Sequence, residues 1–200
     1  MLVANGATFQ LAREREVMGL LLHVRRTPDR LLHPLRRRKA LEALRARPRP
    51  KSVLVLCHGN ICRSPIAAAL LARELAPYGS AVQSAGFAGI NRPPPAEAVA
   101  AAERHQVNLS DHRSRLVTAD LIRATDLIVV MDANQRRLVC ERFGRRPSDV
   151  VVLGDLDSAV VETRTIRDPV NESQDVFAQV YERIARCVQE LGRVLGGAAG

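Results

Sequence analysis

The stretch that most constrains the fold runs Val53-Leu54-Val55-Leu56-Cys57-His58-Gly59-Asn60-Ile61-Cys62-Arg63-Ser64-Pro65: a short apolar run, a turn, and the start of a helix. Val53 to Leu56 has the continuous hydrophobicity of a strand buried on both faces, which points to a parallel sheet. Gly59 and Asn60 are the residue types most tolerant of left-handed backbone angles. Ser64 suits an N-cap and Pro65 the first helical position, where proline's missing N–H would have had no partner. Ile66 to Leu75 continues the helix. Backbone N–H groups in such a loop and at the helix start converge on a concavity that suits an anion. His58, Gly59, Asn60, Ile61, Cys62, Arg63 and Ser64 are therefore expected to surround a phosphate.

The same geometry assigns chemistry to three side chains. Cys57, at the mouth of the concavity, sits in positive potential that favours its thiolate, the nucleophilic form. Arg63 carries a planar fork of donors able to grip two phosphoryl oxygens. Ser64 can donate to the thiolate, stabilising it first as nucleophile and then as leaving group.

With V-L-V-L before it, C-H-G-N-I-C-R-S-P resembles the signature of the low-molecular-weight protein tyrosine phosphatases, and the resemblance covers residues 52 to about 195. It implies a protein-tyrosine phosphatase that forms a cysteinyl-phosphate on Cys57, with Arg63 binding the phosphoryl group and no metal or cofactor. It also implies that Asp168, in Ile166-Arg167-Asp168-Pro169, is the general acid. By sequence alone Asp-Pro is a common turn dipeptide. A tyrosine leaving group, with a pKa of about 10, makes a proton donor useful. Asn60 matches the residue that holds the loop in its strained conformation. Ser84 matches a hydrogen-bonding partner of that residue, and His112 and Arg115 match a further supporting motif. Met131-Asp132 follows the third strand as it does in relatives.

From Lys51 to the end, about 150 residues suffice for one domain with a sizeable core. Strand and helix alternate: Ala81 to Gly86 and Leu127 to Met131 read as strands, Pro95 to His105 and Ala133 to Phe143 as helices. Val150 to Leu153 follows as a fourth strand and Asp175 to Leu195 as a long closing helix. The expected class is α/β, a four-stranded parallel sheet with helices on both faces, Rossmann-like, whose ligands bind beyond the carboxyl ends of the strands.

Residues 1–50 differ in character. They hold 12 Lys+Arg against 4 Asp+Glu, whereas residues 51–200 hold 18 against 17, so nearly all of the net charge of +9 lies in the first quarter. Leu11 to Val24 and Pro28 to Ala46 read as helices, Thr27 capping the second, with Pro34 expected to kink or restart it. Arg45 to Lys51 reads as a proline-stiffened linker between this extension and the catalytic domain at 51–200. The apolar stretch Val17 to Val24 is far short of the roughly 20 residues of a membrane span and lacks a cleavage pattern. The extension is either a cationic arm for an acidic partner or an anionic membrane surface, or a helix solvated or docked on the protein's own body. Nucleic acid is disfavoured because no aromatic interleaves the basic residues.

Four cysteines without a C-x2-C pair indicate neither a disulfide framework nor a zinc site and fit a reducing cytoplasm. Cys62 has two readings: packing beneath the loop or, as the resemblance implies, capture of oxidised Cys57 in a disulfide. Cys140 and Cys187 read as helix-face packing residues. Phe87 and Val170 are expected to wall the substrate pocket, Val170 standing where many relatives carry an aromatic ring. Protein-arginine phosphatases of the superfamily typically carry threonine at the position of Ile61, so Ile61 favours phosphotyrosine. Alternative readings are a protein-arginine phosphatase, a thiol-dependent arsenate reductase and a non-catalytic phosphate-reading module. Bacterial relatives often oppose tyrosine kinases of exopolysaccharide export, which makes such a kinase a candidate partner.

Overall fold

Val53 to Leu56 are each no more than 2% exposed, as a strand covered on both faces requires. In the computed structural model, which describes residues 29–197, they lie in β1 (Ser52–Cys57). β2 (Ala81–Gly86), β3 (Leu127–Val130) and β4 (Val150–Val152) complete a parallel sheet of order β2-β1-β3-β4. Alternate residues of β1 point to opposite faces. Val53, Val55 and Cys57 join the larger core, while Leu54 and Leu56 join a smaller one on the other side.

Helices cover both faces. α1 spans residues 29–45 and α2 Arg63–Leu75; α3 is Ala96–Glu103, α4 Ala119–Arg123, α5 Ala133–Phe143 and α6 Gln174–Gly196. α2 and α6 pack on each other over the larger core, and α5 lies against β3 and β4 on the other face. α6 buries Phe177, Val180, Tyr181, Ile184, Cys187, Val188, Leu191, Val194 and Leu195, a three-and-four spacing that makes one continuous apolar stripe. The start of β1 is tied to β3 by Asp126, whose carboxylate accepts from the Lys51 and Ser52 amides at 2.8 and 3.0 Å. Burial opposes ionisation of Asp126, but these donors outweigh it and hold the carboxyl below its ordinary range.

Three local expectations change. α2 begins at Arg63, with Cys62 at its N-cap, so Ser64 is not the cap and Pro65 is not the first helical residue. The Ser64 hydroxyl is drawn inward by other partners, described below. Asn60 takes a left-handed angle (φ 51°), but Gly59 does not. α1 runs unbroken through Pro34. The carbonyl that Pro34 leaves without a donor belongs to exposed Arg30, where solvent can serve it. The helix expected over Leu11 to Val24 and the Thr27 cap lie outside the described residues.

α1 sits on the body of the protein. His33, Arg37, Leu41 and Leu44 share one face: Leu41 and Leu44 enter the larger core, and Arg37 pairs with Glu190 of α6 at 2.6 Å. His33 Nε2 bonds the Asp157 carbonyl at 3.0 Å. Downstream, Arg47 donates to the Asp126 carbonyl, and Arg49 donates to the Leu195 and Gly196 carbonyls while covering the Tyr78 ring.

Asp157 is the most buried carboxylate among the described residues, at 0% exposure, and it receives Arg183 Nε at 3.0 Å and Arg186 Nε at 3.3 Å. Removing a buried carboxylate strands its cationic partners. Asp157→Ala is expected to destabilise the fold by about 3 kcal/mol, read from urea unfolding, whereas a change within 0.5 kcal/mol would mean the Arg183 pair is replaced by water at no cost.

Candidate active site

The C-terminal ends of β1 and β2 converge where β1 passes into α2. Cys57, the last residue of β1, is 2% exposed. Its Sγ lies 3.0 Å from Ser64 Oγ and accepts the Asn60 amide at 3.2 Å. Ser64 Oγ in turn accepts Asn60 Nδ2 at 2.9 Å. The hydroxyl proton then has two acceptors in reach, the Cys57 sulfur at 3.0 Å and the Ala85 carbonyl at 3.4 Å, and these inward partners withdraw Ser64 from capping duty.

Asn60 holds the loop through almost every polar atom it has. Nδ2 also donates to Ser84 Oγ at 2.9 Å, Oδ1 accepts the Arg115 amide at 3.0 Å, and its carbonyl is bonded by His112 Nε2 at 2.7 Å. A left-handed non-glycine residue costs about 1–2 kcal/mol, and this set of bonds offsets it. Ser84 and His112 are therefore both placed against Asn60. Arg115 adds a second tie, its guanidinium bonding the Ser84 carbonyl and Gln83 Oε1 at 2.7 and 2.8 Å.

Arg63 is 4% exposed in the first turn of α2. Nη1 donates to the Ile166 carbonyl at 3.1 Å, and Nη2 forms an ion pair with Asp168. Its buried Nε has no partner within the protein. First-turn amides of an α-helix also lack intrahelical acceptors. The loop thus gathers a thiol, an unsatisfied guanidinium donor and a helix N-terminus, with the half-exposed Asp168 carboxyl at its rim. Such an arrangement binds a tetrahedral dianion and puts a sulfur nucleophile and a carboxyl beside it.

Beyond the rim opens a cleft of about 770 Å³, lined by His58, Arg63, Phe87, Leu138 and Asp168 among others. Phe87 is on its wall, but Val170 is not: it packs against the larger core. Leu138 of α5 supplies apolar surface instead. Ile61 and Cys62 are both turned into the core, and Gly59 leaves ordinary space beside Ile61. Burial, with the neighbouring Cys57 next in weight, pushes the Cys62 thiol up to about 12. The Tyr181 hydroxyl donates to the Cys62 carbonyl at 3.2 Å, and burial raises the phenol as well. Cys187 packs in the larger core and Cys140 against the smaller one, across the sheet from each other. All four cysteines are free.

Residues 52–197 match the family described as low molecular weight phosphotyrosine protein phosphatase. The chain belongs to that family. The low-molecular-weight protein-tyrosine phosphatase Etp of Escherichia coli is 37% identical over 145 residues, which cover 72% of this chain and 94% of that protein. The crystal structure of the tyrosine phosphatase amsI of Erwinia amylovora superposes with a TM-score of 0.64 at 33% identity, covering 71% of this chain and 91% of that one. The YwlE arginine phosphatase of Geobacillus stearothermophilus superposes with a TM-score of 0.65 at 26% identity, covering 72% and 92%. The enzyme class is protein-tyrosine phosphatase. Residues 29–50, with α1, lie outside the matched stretch.

Gly86, which the sequence marks only as the end of a strand, is also a site residue. A Cβ there would lie 2.8 Å from both the Asn60 nitrogen and the His58 carbonyl, so the phosphatase loop can close onto β2 only over a glycine. The available signal was its place at the end of a strand parallel to the one that ends in Cys57. Gly86→Ala is expected to lower turnover of an aryl phosphate about 100-fold by displacing the loop, with a parallel loss of inhibition by phosphate. Unchanged kinetics would show the loop can shift without cost.

Two of the buried thiols, Cys62 and Cys187, link stability to alkaline pH. Burial raises Cys62 and Cys187 from an ordinary 9.0 to about 12 in the folded protein. The folded state then holds its protons more tightly than the unfolded chain, so the stabilisation is complete below pH 9 and is lost as pH rises toward 12. Thermal midpoints should be steady up to about pH 9 and fall above it, and the fall should be shallower in Cys187→Ala.

Proposed function

We propose that this chain dephosphorylates tyrosine in proteins through Cys57, Arg63 and Asp168. The observation that carries the reading is the single cradle that contains Cys57 Sγ, with Ser64 Oγ 3.0 Å away, and the Arg63 guanidinium, which reaches Asp168. Arg63 and the loop amides hold the phosphoryl oxygens. The Cys57 thiolate attacks phosphorus, the bond to the tyrosyl oxygen breaks, and the protonated Asp168 carboxyl gives its proton to that oxygen. Asp168, now ionised, takes a proton from water, which attacks the cysteinyl-phosphate and expels the thiolate. Ser64 donates to the sulfur at both ends of the cycle, and Asn60, Ser84 and His112 keep the loop in shape. Cys62, a buried thiol under the same loop, is proposed to trap oxidised Cys57 as a disulfide.

Ile61 supports phosphotyrosine over phosphoarginine, since arginine phosphatases typically carry threonine there. The likeness to YwlE is what keeps phosphoarginine as the second reading. As partner we propose a phosphotyrosine protein, of the kind represented by a bacterial tyrosine kinase of exopolysaccharide export. The free cysteines fit a reducing cytoplasm. Arg30, Arg38, Lys39 and Arg45 remain exposed on α1, and for these we retain an acidic partner or an anionic membrane surface.

The decisive experiment measures phosphate release from a phosphotyrosine peptide and a phosphoarginine peptide without added metal. Release from phosphotyrosine that vanishes in Cys57→Ser is the expected result, and preference for phosphoarginine would overturn the Ile61 argument. Asp168→Ala should lower kcat/KM about 100-fold on the phosphotyrosine peptide and far less on p-nitrophenyl phosphate, whose phenol is much more acidic. Equal losses on both would remove the acid role from Asp168.

A further inference from the structure

Residues 157–173, which carry Asp168, contain neither strand nor helix, so tertiary bonds must set their course. Gly154 lets the chain pass directly over it: a Cβ there would lie 2.0 Å from the Arg164 carbonyl oxygen. Arg183 of α6 donates to the Thr163 and Thr165 carbonyls at 2.6 and 2.9 Å, while its Nε bonds the Asp157 carboxylate. At Ile166 the N–H bonds the Met131 carbonyl at 2.9 Å and the carbonyl accepts Arg63 Nη1.

The Arg164 guanidinium pairs with the buried Asp155 carboxylate, and a further hold comes from α1, outside the stretch matched by the family. Asp29 Oδ2 accepts the Arg164 amide and the Thr163 hydroxyl, each at 3.4 Å, and Arg36 forms an ion pair with the other carboxylate oxygen. Burial opposes ionisation of Asp29, but Arg36 and the Arg164 amide outweigh it and hold the carboxyl below its ordinary range. One turn on, His33 is 5% exposed and its Nε2 faces the Asp157 carbonyl. A carbonyl only accepts, so Nε2 carries the proton. Two residues one turn apart on one helix thus grip both ends of the segment that leads into Asp168.

We propose that Asp29 and His33 are positioning residues for the general acid: α1 clamps residues 157–165 and so fixes where the Asp168 carboxyl stands over the cradle. The proposal rests on the reading of Asp168 as proton donor. Three residues lie between Arg164 and Asp168, and Ile166 among them is tied to Met131 and Arg63, so whatever slack at Arg164 those two bonds do not absorb reaches the carboxyl, and displacement of about 1 Å costs a catalytic group much of its effect. The phosphate cradle does not depend on this clamp, because Asn60, Ser84 and His112 hold it from the other side. Loss of the clamp should therefore weaken proton donation without weakening phosphate binding.

The test uses the full chain with Asp29→Ala, His33→Ala and His33→Gln, each alone and combined with Asp168→Ala. The readouts are kcat/KM for a phosphotyrosine peptide and for p-nitrophenyl phosphate, and inhibition by phosphate. kcat/KM reports the step in which the leaving group departs. Asp29→Ala and His33→Ala are expected to lower it about 10-fold on the peptide and less than about 2-fold on p-nitrophenyl phosphate. His33→Gln, which keeps a donor, should recover most of the loss. Combined with Asp168→Ala, the clamp variants should cost nothing further, and Asp29→Ala and His33→Ala alone should leave phosphate inhibition at the wild-type level. Equal loss on both substrates, no loss, or a loss that persists without Asp168 would each overturn the clamp. If Asp168→Ala alone shows no bias between the two leaving groups, the acid reading itself fails, and that result is visible before any α1 variant is compared.

Discussion

The site depends on one residue held in an unfavourable backbone conformation. Asn60 has a left-handed φ of 51° and bonds through its amide, side-chain amide, side-chain carbonyl and main-chain carbonyl. Its partners come from four places: the nucleophile's own sulfur, the helix start at Ser64, strand β2 at Ser84, and the 112–115 loop. Removing any one of them leaves the others to oppose the strain, so the loop is fixed cooperatively. Glycine would adopt the same φ without strain, but would bring no side chain to tie the strand, the helix and the loop together. Asparagine serves as both turn residue and bracket.

That bracket is useful only because the sheet delivers its parts to one edge. β1 and β2 run in register, Cys57 opposite Gly86, so the nucleophile and the glycine that admits the loop arrive side by side. The larger core then locks α2 in place from behind. Tyr181 of α6, wholly buried beside Phe177, reaches the Cys62 carbonyl at the helix N-terminus. α6 thereby supports both ends of the site, with Tyr181 under the cradle and Arg183 on the loop that leads to Asp168.

Much of this architecture was legible in the chain. A continuous apolar strand, a small-residue turn and a helix over Ile66 to Leu75 are local features, and α5 spans the residues expected from the pattern. Misread details are those in which a distant partner outbids a local preference. Ser64 has the propensity of an N-cap, but its hydroxyl is claimed by Cys57 and Asn60, and the helix starts two residues earlier. Gly59 has the freedom to go left-handed and does not use it, because Asn60 supplies that turn. Pro34 reads as a break, yet α1 continues through it, held by His33 before it and by Leu41 and Leu44 after it. Val170 stands where many relatives carry an aromatic pocket wall, but residues close together in an irregular loop face different ways, and it packs against the core while Leu138 of a separate helix lines the cleft.

The basic extension shows the same principle at larger scale. Its composition set it apart from the rest of the chain, and charge alone suggested an outward-facing role. The arginines of α1, however, are divided by face. Arg36 and Arg37 meet Asp29 and Glu190, while Arg38, Lys39 and Arg45 remain on the solvent side. A helix with four consecutive cations necessarily points some of them inward, and here the inward ones find carboxylates. Leu41 and Leu44, 5% and 1% exposed, seat α1 in the larger core, and the partly buried Arg37–Glu190 pair adds to that hold. Its polar contacts with Thr163, Arg164 and Asp157 then need not hold the helix in place. They act on the loop, which has no regular structure of its own and sits where a small shift changes proton transfer.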